Sequence, residues 1–350
     1  MPLDTKLMCI HDPVAQTEEI QQAAAIIRRG GLVVFPTETV YGLGGDATSA
    51  ASSRNIYEAK GRPSDNPLII HIAHPDDADR YAITCPCYRR LAKAFMPGPL
   101  TVILPRRDVI PTETTGGLDT VAVRCPSHPV AHALIKAAGL AIAAPSANRS
   151  GKPSPTCATH VVDDMMGRVD AIIDGGECDI GLESTIVKIE DEDTVTLLRP
   201  GAITYDALCM VVANVKVAAA VSERLGENER PLSPGMKYRH YAPDAPLVLL
   251  EGEDSDVLAY LKQQQSTLRC AVLCYNEEVD CLPEALLYPV GNKGDLASLA
   301  HSLFRLLREA DRAKPDIIYA HLPPKEGLGL ALYNRMIRAA AHTIQHIPSR

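Results

Sequence analysis

Apolar positions recur with helical spacing at Ile20, Ala23, Ala24 and Ile27, so the pattern predicts a helix over Gln16–Arg29, stopped by Gly30 and Gly31. A compact apolar run, Leu32–Phe35, follows as a strand and ends at Pro36. Thr37–Asp46, with three glycines, two threonines and Glu38, reads as a turn lining a site. Helices are then expected at Ser52–Ala59, Asp76–Ala82, Tyr88–Ala94 and 129–138. Short apolar runs place strands at the end of 60–71 and at Leu100–Leu104, Thr120–Arg124, Leu140–Ala144, Ala171–Asp174, Ser184–Ile189 and Val195–Leu198. Such alternation predicts a mixed sheet with flanking helices. Residues 222–246 carry no helical or strand period and concentrate proline, glycine and charge, which marks a linker. Beyond it, strands at Leu247–Leu250, Arg269–Tyr275 and Asp316–Ala320 interleave with helices near 254–264, 295–312 and 329–341, the pattern of a smaller α/β sandwich domain.

Length adds that 350 residues suit about two domains. The net charge of -8 argues against a generally basic nucleic-acid-coating surface, so any anion site must be built locally. With aromatics at 4% and no tryptophan, a base-stacking platform has little material. Ten cysteines in a chain this long do not form a small disulfide scaffold, and no apolar run approaches a membrane span. The expectation is a cytoplasmic protein.

Candidate chemistry falls in separate blocks. Lys60, Arg62 and Asn66 precede the strand ending at His71, and a point charge beside a rigid guanidinium fork suits phosphate oxygens. Ala144–Thr156 contains three serines and one asparagine, with Ser146, Asn148 and Ser154 as hydrogen-bonding groups; a phosphate loop of the G-x4-G-K-S/T kind is absent. Arg124, Ser184 and Arg199 stand at or near strand ends. Cys85 and Cys87, like Cys270, Cys274 and Cys281, lack histidine partners at metal-binding spacing and read as small buried hydrophobes. No nucleophile elbow accompanies the serines. Lys237, Arg239, His240 and Tyr241 supply a positively charged stretch of linker that suits an active-site lid.

Taken together, PTETVYGLG at 36–44, KGRPSDNPLIIH at 60–71, PGPLTVIL at 97–104, TVAVR at 120–124, PSANRSG at 145–151, GLEST at 181–185, LLRPG at 197–201 and SPGMKYRHYAP at 233–243 resemble the threonylcarbamoyl-AMP synthase family in its long form. The resemblance covers most of 15–245 and is weaker beyond. It implies a YrdC-like catalytic domain over 10–215 with a twisted mixed sheet, a linker and lid over 216–245, and an α/β accessory domain over 246–350. The implied reaction converts L-threonine, bicarbonate and ATP to threonylcarbamoyl-AMP and pyrophosphate, for N6-threonylcarbamoyladenosine at position 37 of tRNA.

By the same resemblance Thr39, His71, Arg124, Ala144 and Ser184 are expected around threonine. Lys60, Arg62, Asn66, Thr120, Ser146, Asn148, Ser154, Arg199, Lys237, His240 and Tyr241 are expected around ATP, with Lys60, Arg62, Ser146 and Asn148 closest to the chemistry. Magnesium is expected mainly on the ATP phosphates, with Glu38 and Asp46 as candidate water-mediated contacts and no protein ligand assigned. Expected partners are separate proteins that transfer the product to tRNA, without firm tRNA binding by this chain and without a membrane. Two rivals are carbamoyl transfer through a carbamoyl adenylate, and a noncatalytic RNA-binding module.

Overall fold

The computed structural model describes residues 3–223 and 240–349. The chain divides into two compact units, the second of which combines Gly151–Pro153 with residues from Arg239 onward.

In the first unit the elements run β1 Lys6–Cys9, α1 Thr17–Arg28, β2 Val33–Phe35, β3 Gly42–Asp46, α2 Ala50–Lys60, β4 Ile69–His71, α3 Pro86–Phe95, β5 Leu100–Pro105, β6 Thr120–Arg124, α4 Pro129–Ala138, β7 Ile142–Ala143, α5 Ala158–Met165, β8 Ala171–Asp174, β9 Thr185–Ile189, β10 Thr194–Arg199, α6 Tyr205–Cys209 and β11 Asn214–Val217. The strands form one mixed sheet in the order β1-β8-β2-β3-β7-β4-β6-β5-β9-β10-β11. Alternating side chains divide the central strands between two environments. Leu68, Ile70, Ile72, Val102, Leu104, Val121, Val123 and Val187 enter the main core with α2, α3 and α5. From the opposite face Ile69, Ile103, Ala122, Ile186 and Leu198 form a smaller apolar cluster.

Two expectations need correction, and some elements were missed. Thr37–Asp46 is a turn only in its first half, because Gly42–Asp46 is a strand antiparallel to β2. Its glycines are there for close approach: a Cβ on Gly44 would lie 2.7 Å from the Phe35 ring and 2.8 Å from Ile142 Cγ2, so the cross-strand aromatic fills the space a side chain would need. The expected helix at Asp76–Ala82 is a 3-10 turn over Pro75–Arg80. Strands β1 and β11, and helices α5 and α6, were not legible as periodic segments; β1 and β11 are short edge strands with mostly exposed side chains, so burial imposes little pattern on them.

The second unit holds β12 Leu247–Glu251, α7 Asp254–Gln265, β13 Cys270–Cys274, β14 Leu286–Pro289, α8 Leu296–Arg312, β15 Ile317–His321, α9 Gly327–Ala339 and β16 Ile344–His346. Its sheet, ordered β14-β13-β15-β12-β16, is parallel throughout. Parallel strands are buried on both faces and therefore read as continuous apolar runs, which is why CAVLC and IIYA were visible in the sequence. Among the described residues no helix is long and apolar enough to cross a membrane.

Candidate active site

Strand register aligns the first group of site residues. His71 pairs with Arg124, Arg124 with Thr101, Thr101 with Ile186, and Ile186 with Arg199. Paired residues share a face, so these five form one row across β4, β6, β5, β9 and β10. The apolar Ile69, Ala122 and Ile103 lie one pleat away on the same face. All four polar members of the row are buried, with His71 at 3%, Arg124 at 4%, Thr101 at 0% and Arg199 at 5% exposure. In such a setting each charge acts more strongly than it would in water.

Ser184 enters this row from just before β9. Its hydroxyl lies 2.7 Å from Thr101 Oγ1, and Arg199 donates through Nε to Ser184 O at 3.0 Å and through Nη2 to Ser184 Oγ at 3.1 Å. Ser154, also completely buried, donates to the neighbouring Glu183 carboxylate. Thr39 is fixed in the turn before β3, where Thr37 Oγ1 lies 2.8 Å from Thr39 Oγ1 and donates to Val40 O at 2.6 Å.

Between Thr37 and Thr39, Glu38 meets Arg124: its Oε1 lies 2.8 Å from Nη2, with the two side chains 6% and 5% exposed. Neither carboxylate oxygen nor this Nη2 completes an aligned hydrogen bond. Burial pushes the Glu38 carboxyl upward, but Arg124 and backbone amides at Glu38 and Ser127 outweigh it and hold the group below its ordinary value. His71 is displaced in the direction that favours a neutral ring, to about 3, first by burial and then by the Arg124 charge. Its Nδ1 has no hydrogen-bond partner among the described residues.

A second group gathers at the end of α2. Ser49 caps the helix by accepting from Ser52 N at 3.2 Å, and Gly61 ends it in the left-handed region at φ 62°. Only glycine takes that conformation cheaply. The reversal lets Arg62 N donate to Tyr57 O at 2.9 Å and sets Lys60 and Arg62 on either side of the helix end. Lys60 Nζ donates to the carbonyls of Ser146 and Asn148 and lies 3.5 Å from Asn148 Oδ1. Ser146 Oγ in turn donates to Asn148 Oδ1. The loop is tied to β3 as well, through Leu43 N to Pro145 O at 2.8 Å and Ala147 N to Tyr41 O at 2.8 Å. Ala144, one residue past β7, donates its amide to Ile69 O at 2.9 Å.

Arg62 folds back over the loop before β4, donating to Asn66 O at 3.2 Å and Pro67 O at 3.0 Å. Asn66 is 1% exposed and its Oδ1 has no partner among the described residues. Thr120 opens β6, and alternation puts it on the same face as Arg124. Four residues at about 3.3 Å each separate the two by roughly 13 Å along the strand. The parallel pairing of β4 with β6 places the Asn66 loop toward the Thr120 end and His71 at the Arg124 end.

Lys237 is outside the described residues, as is most of the stretch read as a lid. Tyr241 is in the second unit, buried at 4%, stacked on Phe304 with ring centroids 5.2 Å apart and with the Arg335 guanidinium 5.7 Å from its ring; the adjacent His240 ring lies 5.5 Å away. Asp46 accepts from Thr48 N and Oγ1 at 2.8 and 2.7 Å, a local turn contact. Among the described residues no three His, Cys, Asp or Glu side chains converge to hold a metal ion.

Sequence reasoning missed Thr101 as a site residue and did not pair Glu38 with Arg124. Thr101 did leave a signal, a lone hydroxyl inside the apolar run LTVILP that turns out to be completely buried.

Two family models match: one described as telomere recombination over residues 25–201, and one described as threonylcarbamoyl-AMP synthase, C-terminal domain, over 203–341. The threonylcarbamoyl-AMP synthase of Bacillus subtilis is 46% identical over 92% of this chain and 93% of its own length. The Pyrococcus abyssi enzyme of the same name is 42% identical over 93% of this chain and 95% of its own. A crystal structure of P. abyssi Sua5 complexed with L-threonine superposes with a TM-score of 0.90 at 40% identity, covering 98% of this chain and 100% of that one. The chain therefore belongs to the threonylcarbamoyl-AMP synthase family, in the form that carries a YrdC-like domain followed by the family's C-terminal domain.

Proposed function

We propose that the buried row and the loop ends at its borders divide the family's substrates between them. The reaction is the condensation of L-threonine, bicarbonate and ATP to threonylcarbamoyl-AMP and pyrophosphate. Threonine is assigned to the Arg124 end, with its carboxylate on the Arg124 guanidinium and its other polar groups within reach of Thr39, His71, Ala144 and Ser184. A neutral His71 with an unpartnered Nδ1 suits hydrogen bonding to a hydroxyl or amine without adding charge. ATP is assigned along the same face toward Arg62, Asn66 and Thr120, with Ser146, Asn148, Ser154 and Arg199 on its phosphates. The roughly 13 Å between Arg124 and Thr120 is the observation that carries this arrangement, because it gives the two substrates separate ends of one strand. The threonine bound in the P. abyssi structure supports a threonine site on this scaffold.

In this arrangement the carbamate oxygen of N-carboxythreonine attacks the α-phosphorus, the bond to the bridging oxygen breaks, and pyrophosphate leaves with the electron pair. No covalent enzyme intermediate is required. Orientation of the two reactants can supply up to about 7–11 kcal/mol of the barrier. Arg62 and Arg199 offset charge that moves onto the phosphate oxygens, while Lys60 acts through the Ser146–Asn148 loop that it holds. Burial excludes water, which protects a carbamate that loses carbon dioxide and an adenylate that hydrolyses.

The side chains facing the row do not fit a protein-built magnesium site: hydrogen-bond donors predominate, Glu38 is engaged by Arg124, and Glu183 by Ser154. Magnesium is assigned to the ATP phosphates, and no step is derived through a protein-held ion. Transfer of the product to position 37 of tRNA falls to separate proteins in the cytoplasm, in keeping with the acidic charge balance of this chain.

Product mass analysis with labelled bicarbonate tests the reading. One labelled carbon is expected in a threonine-containing adenylate, with pyrophosphate release dependent on both threonine and bicarbonate. Formation of ADP and phosphate alone would overturn it.

A further inference from the structure

The guanidinium of Arg124 is held at two of its three nitrogens. Nε points to Gly98 O at 3.4 Å, and Nη2 lies 2.8 Å from Glu38 Oε1. The third, Nη1, has no partner among the described residues and is not fully enclosed by them, so it is the corner open to a ligand. Glu38 differs in this respect, because both of its oxygens are enclosed and reach no solvent-accessible surface. It can touch Arg124 but not a substrate in the adjoining space.

The backbone that carries this carboxylate is held in place on both sides. Glu38 O accepts from Ile180 N at 2.9 Å, and the threonines on either side are joined through their hydroxyls. A buried carboxylate beside an anion-binding arginine partly cancels the charge that would attract the anion, so its presence needs a reason other than raw attraction. Orientation supplies one. An arginine side chain has several rotatable bonds, and a fixed counter-charge at Nη2 leaves it one direction in which to present Nη1.

We propose that Glu38 is a positioning residue for threonine: it fixes the Arg124 guanidinium so that Nη1 is presented to the substrate carboxylate. The inference rests on the placement of threonine at Arg124 given above. It adds that the acid of the PTET segment acts on amino-acid binding through Arg124 alone, with no contact to threonine, ATP or a metal ion.

The test is steady-state pyrophosphate release by the full chain, titrating threonine and ATP separately, for wild type, Glu38→Gln, Arg124→Gln and the double variant. Glu38→Gln keeps the shape and removes the charge. It is expected to raise the threonine KM at least tenfold with the ATP KM within twofold of wild type, and to add nothing in the Arg124→Gln background. An unchanged threonine KM, a parallel rise in both KM values, or effects that multiply in the double variant would each overturn the proposal. If Glu38→Gln does not fold, Glu38→Asp decides the matter. It keeps the charge but withdraws it by one methylene, and must still give a threonine-selective rise; no such rise refutes the role. The Arg124→Gln arm separates the two levels of argument. An ordinary threonine KM there would remove the placement of threonine, whereas a raised value there beside an unaffected Glu38→Gln would remove only the role of Glu38.

Discussion

Replacing Lys60 with methionine separates two functions for a lysine next to a nucleotide. Lys60 is 3% exposed and its ammonium donates to the main-chain carbonyls of Ser146 and Asn148, eighty-six and eighty-eight residues away in sequence. Methionine fills nearly the same volume but donates nothing, so two acceptors lose their partner. Each buried unpaired polar group costs about 1–3 kcal/mol. Ser146 is only half-buried and Arg149 is exposed, so water can recover part of that loss. Removing a desolvated ammonium also returns some energy. A net destabilisation of about 2 kcal/mol is expected. For a unit of this size each kcal/mol shifts Tm by about 2–4 °C, so the transition should fall by at least about 4 °C. Tyrosine fluorescence can follow it, since the chain has 12 tyrosines and no tryptophan. In pyrophosphate-release assays the loosened loop should raise the ATP KM more than the threonine KM. A Tm within about 1 °C of wild type combined with a large loss of kcat would refute the reasoning, because Lys60 would then act on the phosphates and not on the loop.

Gly44→Ala should destabilise the first unit by about 1–3 kcal/mol, since the added Cβ meets the Phe35 ring at 2.7 Å and Ile142 at 2.8 Å; urea unfolding checks this, and a neutral substitution would mean that β2 and β3 separate without cost. His71, with its value lowered to about 3, should remain neutral between pH 5 and 8. The unfolded chain takes up this proton near the ordinary histidine value while the folded chain does not, so stability falls progressively from about pH 6.5 toward pH 3. His71→Gln should flatten that part of the stability–pH curve, and an NMR titration showing the His71 ring protonating near pH 6.5 would contradict the burial argument.

The sequence by itself determined most of the elements and the residue types of the site. Helices such as Thr17–Arg28 and Leu296–Arg312 bury one face and so carry the period of the helix in their apolar positions. Strands Thr120–Arg124 and Ala171–Asp174 are buried and short, and so are apolar runs with clear ends. Proline, glycine and charge marked the connections, and the ordered polar motifs identified the family. The glycine strand β3 escaped detection because what makes it a strand is Phe35 on the neighbouring strand, which is a property of the pair and not of the segment. The ion pair between Glu38 and Arg124 was equally out of reach, as was the row from His71 to Arg199. Those depend on register, and register is set when strands far apart in the chain compete for one buried face. Local patterns therefore named the donors, while the pairing of the strands decided which of them share a buried surface and whose charge each one feels.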